Sequence, residues 1–401
     1  MIVGRPEVAD VFREFSVPFL DRFKNVLLPR QRRALSDIVS CRTSALGYHR
    51  RQCDTCDHEE VSYNSCRNRH CPKCQATKQR EWLQREARNL IDVEYFHVVF
   101  TIPEALGPIA LRNQRVIYSL LFKAVADAIT TIARDPKHLG VSSGFTAVLH
   151  TWGQALDHHP HVHCVVPGGG LSPDGSSWIP CRAGFYLPVK VLSRRFRETF
   201  IRLLSRSYEA GEIAFPGKIA PVAGRWTSFV TALRKHEWVV YSKPPFGGPK
   251  QVLKYLANYT HRVAISNRRL VAIEDGEVRF RWKKYRSGRS SLMSLDGTEF
   301  IRRFLMHVLP RGFVRIRHFG FLANAVRETK LARIRELHEP PEMPAAIVTQ
   351  VERGAALPVV IEVDDPKEVA DPRCPHCKEG RLRVIEVCLP DSDRTKQRCP
   401  G

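Results

Sequence analysis

Three things are scarce or absent in this chain. It has no positively charged leader backed by an apolar core, and no apolar run approaching the roughly eighteen residues of a membrane-spanning helix. The expectation is a bacterial cytosolic protein with no membrane partner. Acidic residues are outnumbered, with 41 Asp and Glu against 63 Lys and Arg, for a formal charge of +22 and a pI of about 9.8. That balance is silent on fold but favours a polyanionic partner. Dispersed cysteines of the kind that build a disulfide framework are also missing. The 12 cysteines gather largely in Cys-x2-Cys pairs, which in a reducing compartment read as metal ligands.

What is present describes a soluble globular protein: 43% hydrophobic and 26% charged residues over 401 positions, enough chain for two or three domains. Three parts are predicted: an amino-terminal module over 1–91, a central domain over 92–338, and a linker with a cysteine-containing tail over 339–401. The tail carries 12 acidic and 9 basic residues, so the positive charge lies ahead of it and the tail is not expected to grip a polyanion.

In the first part, a helix over Val8–Phe23 precedes Cys53-x2-Cys56 and Cys71-x2-Cys74, two knuckles separated by fourteen residues. Thiolates so spaced can close tetrahedrally on Zn2+, and the metal supplies folding energy that a loop-rich segment lacks. Cys53, Cys56, Cys71 and Cys74 are the expected zinc ligands. Cys41, His49, Cys66 and His70 either complete a second site or serve packing and capping. Arg50, Arg51, Arg67, Arg69, Lys73, Lys78 and Arg80 either grip phosphates or form a solvated face. A helix is expected over Gln79–Ile91.

The central part alternates strand and helix signals. Strands are expected over Val93–Ile102, Gly144–Thr151 and from His161 onward, with helices over Asn113–Ala133, Val189–Glu209, Phe300–Leu309 and Phe321–Leu337. Pro167-Gly168-Gly169-Gly170 reads as a turn, with a phosphate cradle as the alternative that the lack of a following helix start disfavours. Lys243–Pro249 reads as a rigid loop leading into a helix. Arg269–Arg286 reads as a hairpin about Asp275-Gly276. Its second arm, Arg279-Phe280-Arg281-Trp282-Lys283-Lys284-Tyr285-Arg286, suits base stacking with phosphate neutralisation. An aromatic face buried under an exposed basic face would give the same pattern. In the tail, Cys374 and Cys377 offer half of another zinc site, with Cys388 and Cys399 as the remaining ligands. The fold class expected is α+β.

The chemistry is concentrated in His159-Pro160-His161-Val162-His163. Side chains at i and i+2 of a strand share a face, so His161 and His163 can turn to one ion while Val162 enters the core. Two polar residues on a solvent-facing strand are the plain alternative. Two imidazoles leave a shell incomplete. Gln154 is the first choice for the third ligand, His150 the second and His159 the third. About ninety residues later Tyr255 and Tyr259 stand one turn apart on a predicted helix. Ordinary helix packing would explain them equally, were it not for the histidines. A phenol is a poor nucleophile near its ordinary pKa of about 10. It becomes useful when a divalent ion activates a phosphodiester instead.

These motifs together resemble the two-tyrosine branch of the HUH endonuclease superfamily, and within it the transposases of rolling-circle insertion sequences. The resemblance rests on Thr151–Gln154, His159–His163, Pro245–Pro249, Tyr255–Arg262, Ala264–Asn267 and Arg303–Phe313, in that order, and spans most of residues 10–338. The cysteine module is similar to the zinc-binding domain that precedes the nuclease in that family. The resemblance implies an antiparallel sheet flanked by helices, and a transposase acting as a single-strand DNA endonuclease and strand transferase. His161 and His163 would hold Mg2+ or Mn2+, while Tyr255 or Tyr259 attacks to form a 5′-phosphotyrosine and the other serves a second strand. The implied partners are single-stranded DNA at the ends of a mobile element and target DNA, which would associate the protein with the nucleoid. Arg262, Arg268, Arg269, Lys283, Lys284 and Arg286 lie where a phosphate backbone would run, so DNA binding should weaken steeply with salt. The competing expectations are a replication initiator or relaxase, a non-catalytic zinc-stabilised DNA-binding protein, and a purely structural zinc at the histidine pair.

Overall fold

A computed structural model describes residues 5–215, 223–246, 251–252, 264–283, 289–338 and 373–390. The chain divides into two units, residues 1–76 with 342–401 and residues 77–341. In the first, α1 (Val8–Phe23) packs on α2 (Pro29–Val39), burying Phe12, Phe15 and Phe19 with Ala34, Leu35 and Ile38. Apolar residues three and four apart give each helix one face to bury. A hairpin of β1 (Tyr48–Cys53) and β2 (Glu59–Tyr63) follows. The next helix, α3 (Pro72–Ala87), starts well before the predicted Gln79, with Pro72 suited to a first helical turn.

The second unit is built on a five-stranded antiparallel sheet. Its strands are β3 (Tyr95–Thr101), β4 (Gly144–Trp152), β5 (His158–Pro167), β8 (Val240–Phe246) and β12 (Ile316–Gly320), in the order β12-β4-β5-β3-β8. Between them lie α4 (Gly107–Arg112), α5 (Gln114–Arg134), the small hairpin β6 (Gly169–Leu171) with β7 (Trp178–Pro180), α6 (Val189–Glu209) and α7 (Ala223–Lys235). A second antiparallel sheet holds β9 (Leu270–Glu274), β10 (Glu277–Lys283) and β11 (Ser290–Asp296), followed by α8 (Gly297–Met306) and, after β12, α9 (Arg327–His338). Asp296 caps α8, its carboxylate accepting from the backbone N–H of Thr298 (2.9 Å) and Glu299 (3.1 Å).

Strand alternation sets the two faces of the large sheet. Phe96, Val98 and Phe100 of β3 with Val162, Cys164 and Val166 of β5 enter one core with α5 and α6. The opposite face carries Tyr95 and Val165, clustered with Trp82, Ile91, Val252, Phe321, Leu331 and Ile334. By composition α5 could cross a membrane, but Ile117, Leu121, Val125 and Ile129 are fully buried in the first core.

Several expectations change here. Lys243, Pro244, Pro245 and Phe246 belong to β8, not to a loop. Prolines survive there because β8 is an edge strand, with no neighbour on one side to demand an N–H. The helix predicted over Phe321–Leu337 begins only at Arg327, after a turn. The predicted hairpin closes at Asp275-Gly276, both with positive φ, but gains a third strand, β11. On β10, Val278 and Phe280 are buried while Arg279, Arg281 and Lys283 are exposed, and Phe280 packs edge-on against Phe300. The buried aromatic face under a basic surface therefore holds for Phe280, so that ring is not a stacking platform. Gly169 and Gly170 pair with β7 in a hairpin.

Back in the first unit, the tail returns as β13 (Leu382–Cys388), which pairs antiparallel with β1. A segment read from sequence as a separate third part thus completes the amino-terminal sheet, in the order β13-β1-β2.

Candidate active site and metal centres

The histidine pair sits where strand geometry places it. His161 and His163 share one face of β5, and register sets His150 of β4 directly across from His161. The ligating nitrogens of His150, His161 and His163 all lie within 4.8 Å of one another. All three side chains are buried. Desolvation is the main cause that lowers the pKa of His161 to about 4 and that of His163 well below its usual range. Both imidazoles are therefore neutral near pH 7, with a lone pair to offer.

Neighbouring groups fix which nitrogen is offered. The Nδ1–H of His161 donates to the carbonyl of His159 at 2.6 Å, leaving Nε2 for an ion. His163 Nδ1 lies 2.8 Å from Nε2 of His97 on β3, a buried imidazole whose pKa desolvation pushes to about 3. With His97 as the acceptor of the Nδ1–H, His163 would offer Nε2 as its ligating nitrogen. Sequence reasoning missed His97, although its place on the predicted 93–102 strand was the available signal. Replacing His97 by Ala should lower Mn2+ affinity about 10- to 100-fold, whereas His97→Gln, which keeps an acceptor, should recover most of it. Titration calorimetry reads this directly; a shifted melting temperature with unchanged affinity would make His97 a packing residue only.

Of the residues weighed as third ligand, the structure brings His150 beside the pair. Gln154 is exposed in the turn beyond the end of β4, whereas His150 lies within the strand, one register step from the pair. His159 contributes its carbonyl.

The β4–β5 turn that leads into the pair's strand is clamped at three successive carbonyls. Arg269 donates to Gln154 O, Arg303 Nη1 to Ala155 O at 3.1 Å, and His307 Nε2 to Leu156 O at 3.2 Å. Leu156 adopts a positive φ of 62°, which a tight turn requires and a leucine resists. A Cβ on Gly153 would lie 2.3 Å from Asp157 Oδ1, so a larger residue there would displace the Asp157 carboxylate. His307 is held in turn by Thr151 Oγ1 at 3.1 Å, and Arg303 by Glu299 at 2.7 Å. Arg269 is also bound to the carbonyl of Arg281 at 2.7 Å. Its guanidinium is thus a brace for the turn, not the free phosphate contact expected of it. Arg268 and Lys283 are exposed. Arg262, Lys284 and Arg286, with Tyr255 and Tyr259, lie outside the described residues.

The predicted zinc quartet separates into two. Cys71 and Cys74 join Cys41 and Cys66, while Cys53 and Cys56 join Cys374 and Cys377 of the tail. In the first group Cys41–Cys74, Cys66–Cys74 and Cys41–Cys71 sulfurs are each 3.6 Å apart. A tetrahedron of sulfurs about 2.3 Å from Zn2+ has edges of about 3.8 Å, so the set fits zinc. Mutual thiol hydrogen bonds within the quartet push the pKa of Cys41 and Cys74 down and that of Cys66 and Cys71 up. The physical reason for the regrouping is that β1 and β2 form a hairpin, which carries Cys53 and Cys56 away to its turn. Among the other residues weighed for this module, His70 is buried and bonded to Asn68 (3.1 Å).

Comparison with known proteins fits this geometry. A family profile described as "Putative transposase" matches residues 144–330, and one described as "Transposase zinc-binding domain" matches residues 11–102. The chain is 49% identical over 395 residues to the "Putative transposase y4qJ" of Sinorhizobium fredii (strain NBRC 101917 / NGR234), covering 95% of both chains. It is 28% identical over 311 residues to the "Transposase for insertion sequence element IS801" of Pseudomonas savastanoi pv. phaseolicola, covering 75% of this chain and 72% of that one. The zinc-binding match contains Cys41, Cys66, Cys71 and Cys74, and the other match contains all three histidines.

Proposed function

The chain belongs to this transposase family, an enzyme family acting on DNA with a structural zinc module, and from that premise we propose how it acts. It is a metal-dependent single-strand DNA endonuclease and strand transferase that moves a mobile element by a rolling-circle-like route. The observation carrying this reading is the convergence of His150, His161 and His163 on one point of a rigid sheet. Three imidazoles suit Mn2+ well and Mg2+ less well, with phosphate oxygens free to complete the shell. Held there, the ion would withdraw charge from the scissile phosphate.

The remaining chemistry belongs to the chain. Tyr255 or Tyr259 attacks phosphorus through its phenolic oxygen, and the bond to the 3′ oxygen breaks. The phenol loses a proton, the departing 3′ hydroxyl gains one, and the 5′ phosphate stays on the tyrosine. One phosphodiester replaces another, so the step is reversible and needs no external energy source. The second tyrosine lets the enzyme engage another strand before the first is resolved. Val252, three residues ahead of Tyr255, is fully buried in one cluster with Tyr95 and Val165. Those two share the sheet face of His97 and His163. Arg268 and Lys283, with Arg262, Lys284 and Arg286, would track the phosphate backbone, giving the steep salt dependence of such contacts.

The test is cleavage of labelled single-stranded oligonucleotides from the element's ends in Mn2+ or Mg2+. Wild-type protein should release a free 3′ hydroxyl and retain the 5′ portion covalently, and His161→Ala should do neither. Cleavage by His161→Ala with added Mg2+ would leave the histidines a structural role.

A further inference from the structure

Cys53-Asp54-Thr55-Cys56 and Cys374-Pro375-His376-Cys377 are built alike although they lie at opposite ends of the sequence. Each is followed by a residue in the left-handed region, Asp57 (φ 56°) and Lys378 (φ 63°). Each is closed from its first cysteine, Cys53 N–H donating to His58 O at 2.9 Å and Cys374 N–H to Gly380 O at 2.8 Å. Each directs a backbone N–H at sulfur, Thr55 to Cys53 Sγ (3.4 Å) and Gly380 to Cys377 Sγ (3.3 Å). Such bonds favour thiolate over thiol.

The pairing of β1 with β13 brings the knuckles face to face. Cys53 stands opposite Leu382, with Cys53–Cys377 and Cys56–Cys374 sulfurs both 3.7 Å apart. That is far beyond a disulfide bond of about 2.05 Å and close to the edge of about 3.8 Å in a zinc tetrathiolate. A Cβ on Gly380 would fall 2.4 Å from Cys53 Sγ, so the tail's backbone approaches the cluster as only glycine permits. Asp54 secures the junction, accepting from Arg381 N–H at 2.9 Å and pairing with Arg383 at 3.2 Å.

The energetics ask for an ion. The apolar cluster here consists of Cys53, Cys374 and Leu382, with Cys56 and Cys377 against it. Burial of one leucine offsets the ordering of little more than one or two residues of the docked tail. A structural zinc site supplies far more than that.

We propose that Cys53, Cys56, Cys374 and Cys377 form a second Zn2+ site, distinct from the Cys41 quartet and completed only by the carboxy-terminal tail. Neither family match reaches Cys374 or Cys377. Four thiols release four protons to the solvent as the ion binds, with no change in oxidation state. The tail is thereby a required part of the amino-terminal module, and that module closes only after the far end of the chain exists. The proposal is independent of how the nuclease works.

The test uses the full chain. Elemental analysis and native mass spectrometry should find two zinc ions per wild-type chain and one in Cys374→Ser/Cys377→Ser. Cys53→Ser/Cys56→Ser should also hold one, and the quadruple variant should still hold one, because the two pairs serve a single ion. Should these variants fail to fold, the wild-type protein decides alone. Alkylation with mass mapping should show Cys53, Cys56, Cys374 and Cys377 protected together and released together by a chelator. One zinc per wild-type chain, freely alkylated Cys374 and Cys377, two ions retained in the tail variant, or disulfides between the pairs would each overturn the site.

Discussion

Exchange of Tyr255 and Tyr259 together for Phe should abolish covalent capture of single-stranded DNA and leave DNA binding at its wild-type affinity. The substitution removes two oxygens and no charge, so phosphate contacts and their salt dependence stay as they were. What disappears are the two phenols the mechanism uses. Loss of a covalent nucleophile costs on the order of 10⁶-fold in turnover where it has been measured in other enzymes. The single variants should separate the two halves of the reaction: each keeps one nucleophile, so one strand can still be opened while transfer to a second fails. A non-catalytic zinc-stabilised DNA-binding protein would be indifferent to all three substitutions. Cleavage and adduct formation are read on denaturing gels, and binding at two salt concentrations serves as the control.

The Cys41 quartet carries the second large effect. Cys71→Ser/Cys74→Ser should remove one zinc ion and, with it, much of the order of residues 41–74. The helices α1 and α2 bury Phe12, Phe15 and Phe19 with Ala34, Leu35 and Ile38 and should persist. Beyond them, the buried side chains of residues 41–74 are Cys41, Cys53, His70, Cys71 and Cys74, with no large apolar residue among them. Removing an ion worth about 10–16 kcal/mol exceeds the whole stability of a typical domain, about 5–15 kcal/mol. Hydrogen exchange on the full chain should show amides across 41–74 losing protection while those of β3, β4 and β5 keep theirs. Unchanged protection in the variant would mean that packing and not metal holds this segment.

The strand carrying His161 and His163 was legible because a two-residue period has one physical consequence: the pair faces one way and Val162, Cys164 and Val166 the other. The third ligand was less legible. Proximity along the chain favours Gln154, but neighbours on a sheet are chosen by register, and register puts His150 opposite His161. The cysteines teach the same lesson at longer range. Fourteen residues between two knuckles invite them to be joined, yet the partners of Cys53 and Cys56 lie 318 to 324 residues further on. No local spacing reports a strand pairing of that span. His97 was unreadable as a site residue for a related reason, since a single histidine in an apolar strand acquires meaning only from the imidazole beside it. Arg269 shows the converse: charge near a motif suggested phosphate, while the fold spends that charge on backbone carbonyls. The alternation of β10 admitted two readings, and burial of Phe280 beneath Arg279 and Arg281 selects one.

The most direct measurement is peptide mapping of the covalent adduct. Wild-type protein is incubated with a labelled single strand and Mn2+, digested, and the DNA-bearing peptide sequenced. The expected result is one peptide from 251–262 with DNA attached through its 5′ phosphate at Tyr255 or Tyr259, and no such peptide from His161→Ala. DNA attached at another residue, or strand cleavage with no protein-linked intermediate, would contradict the account.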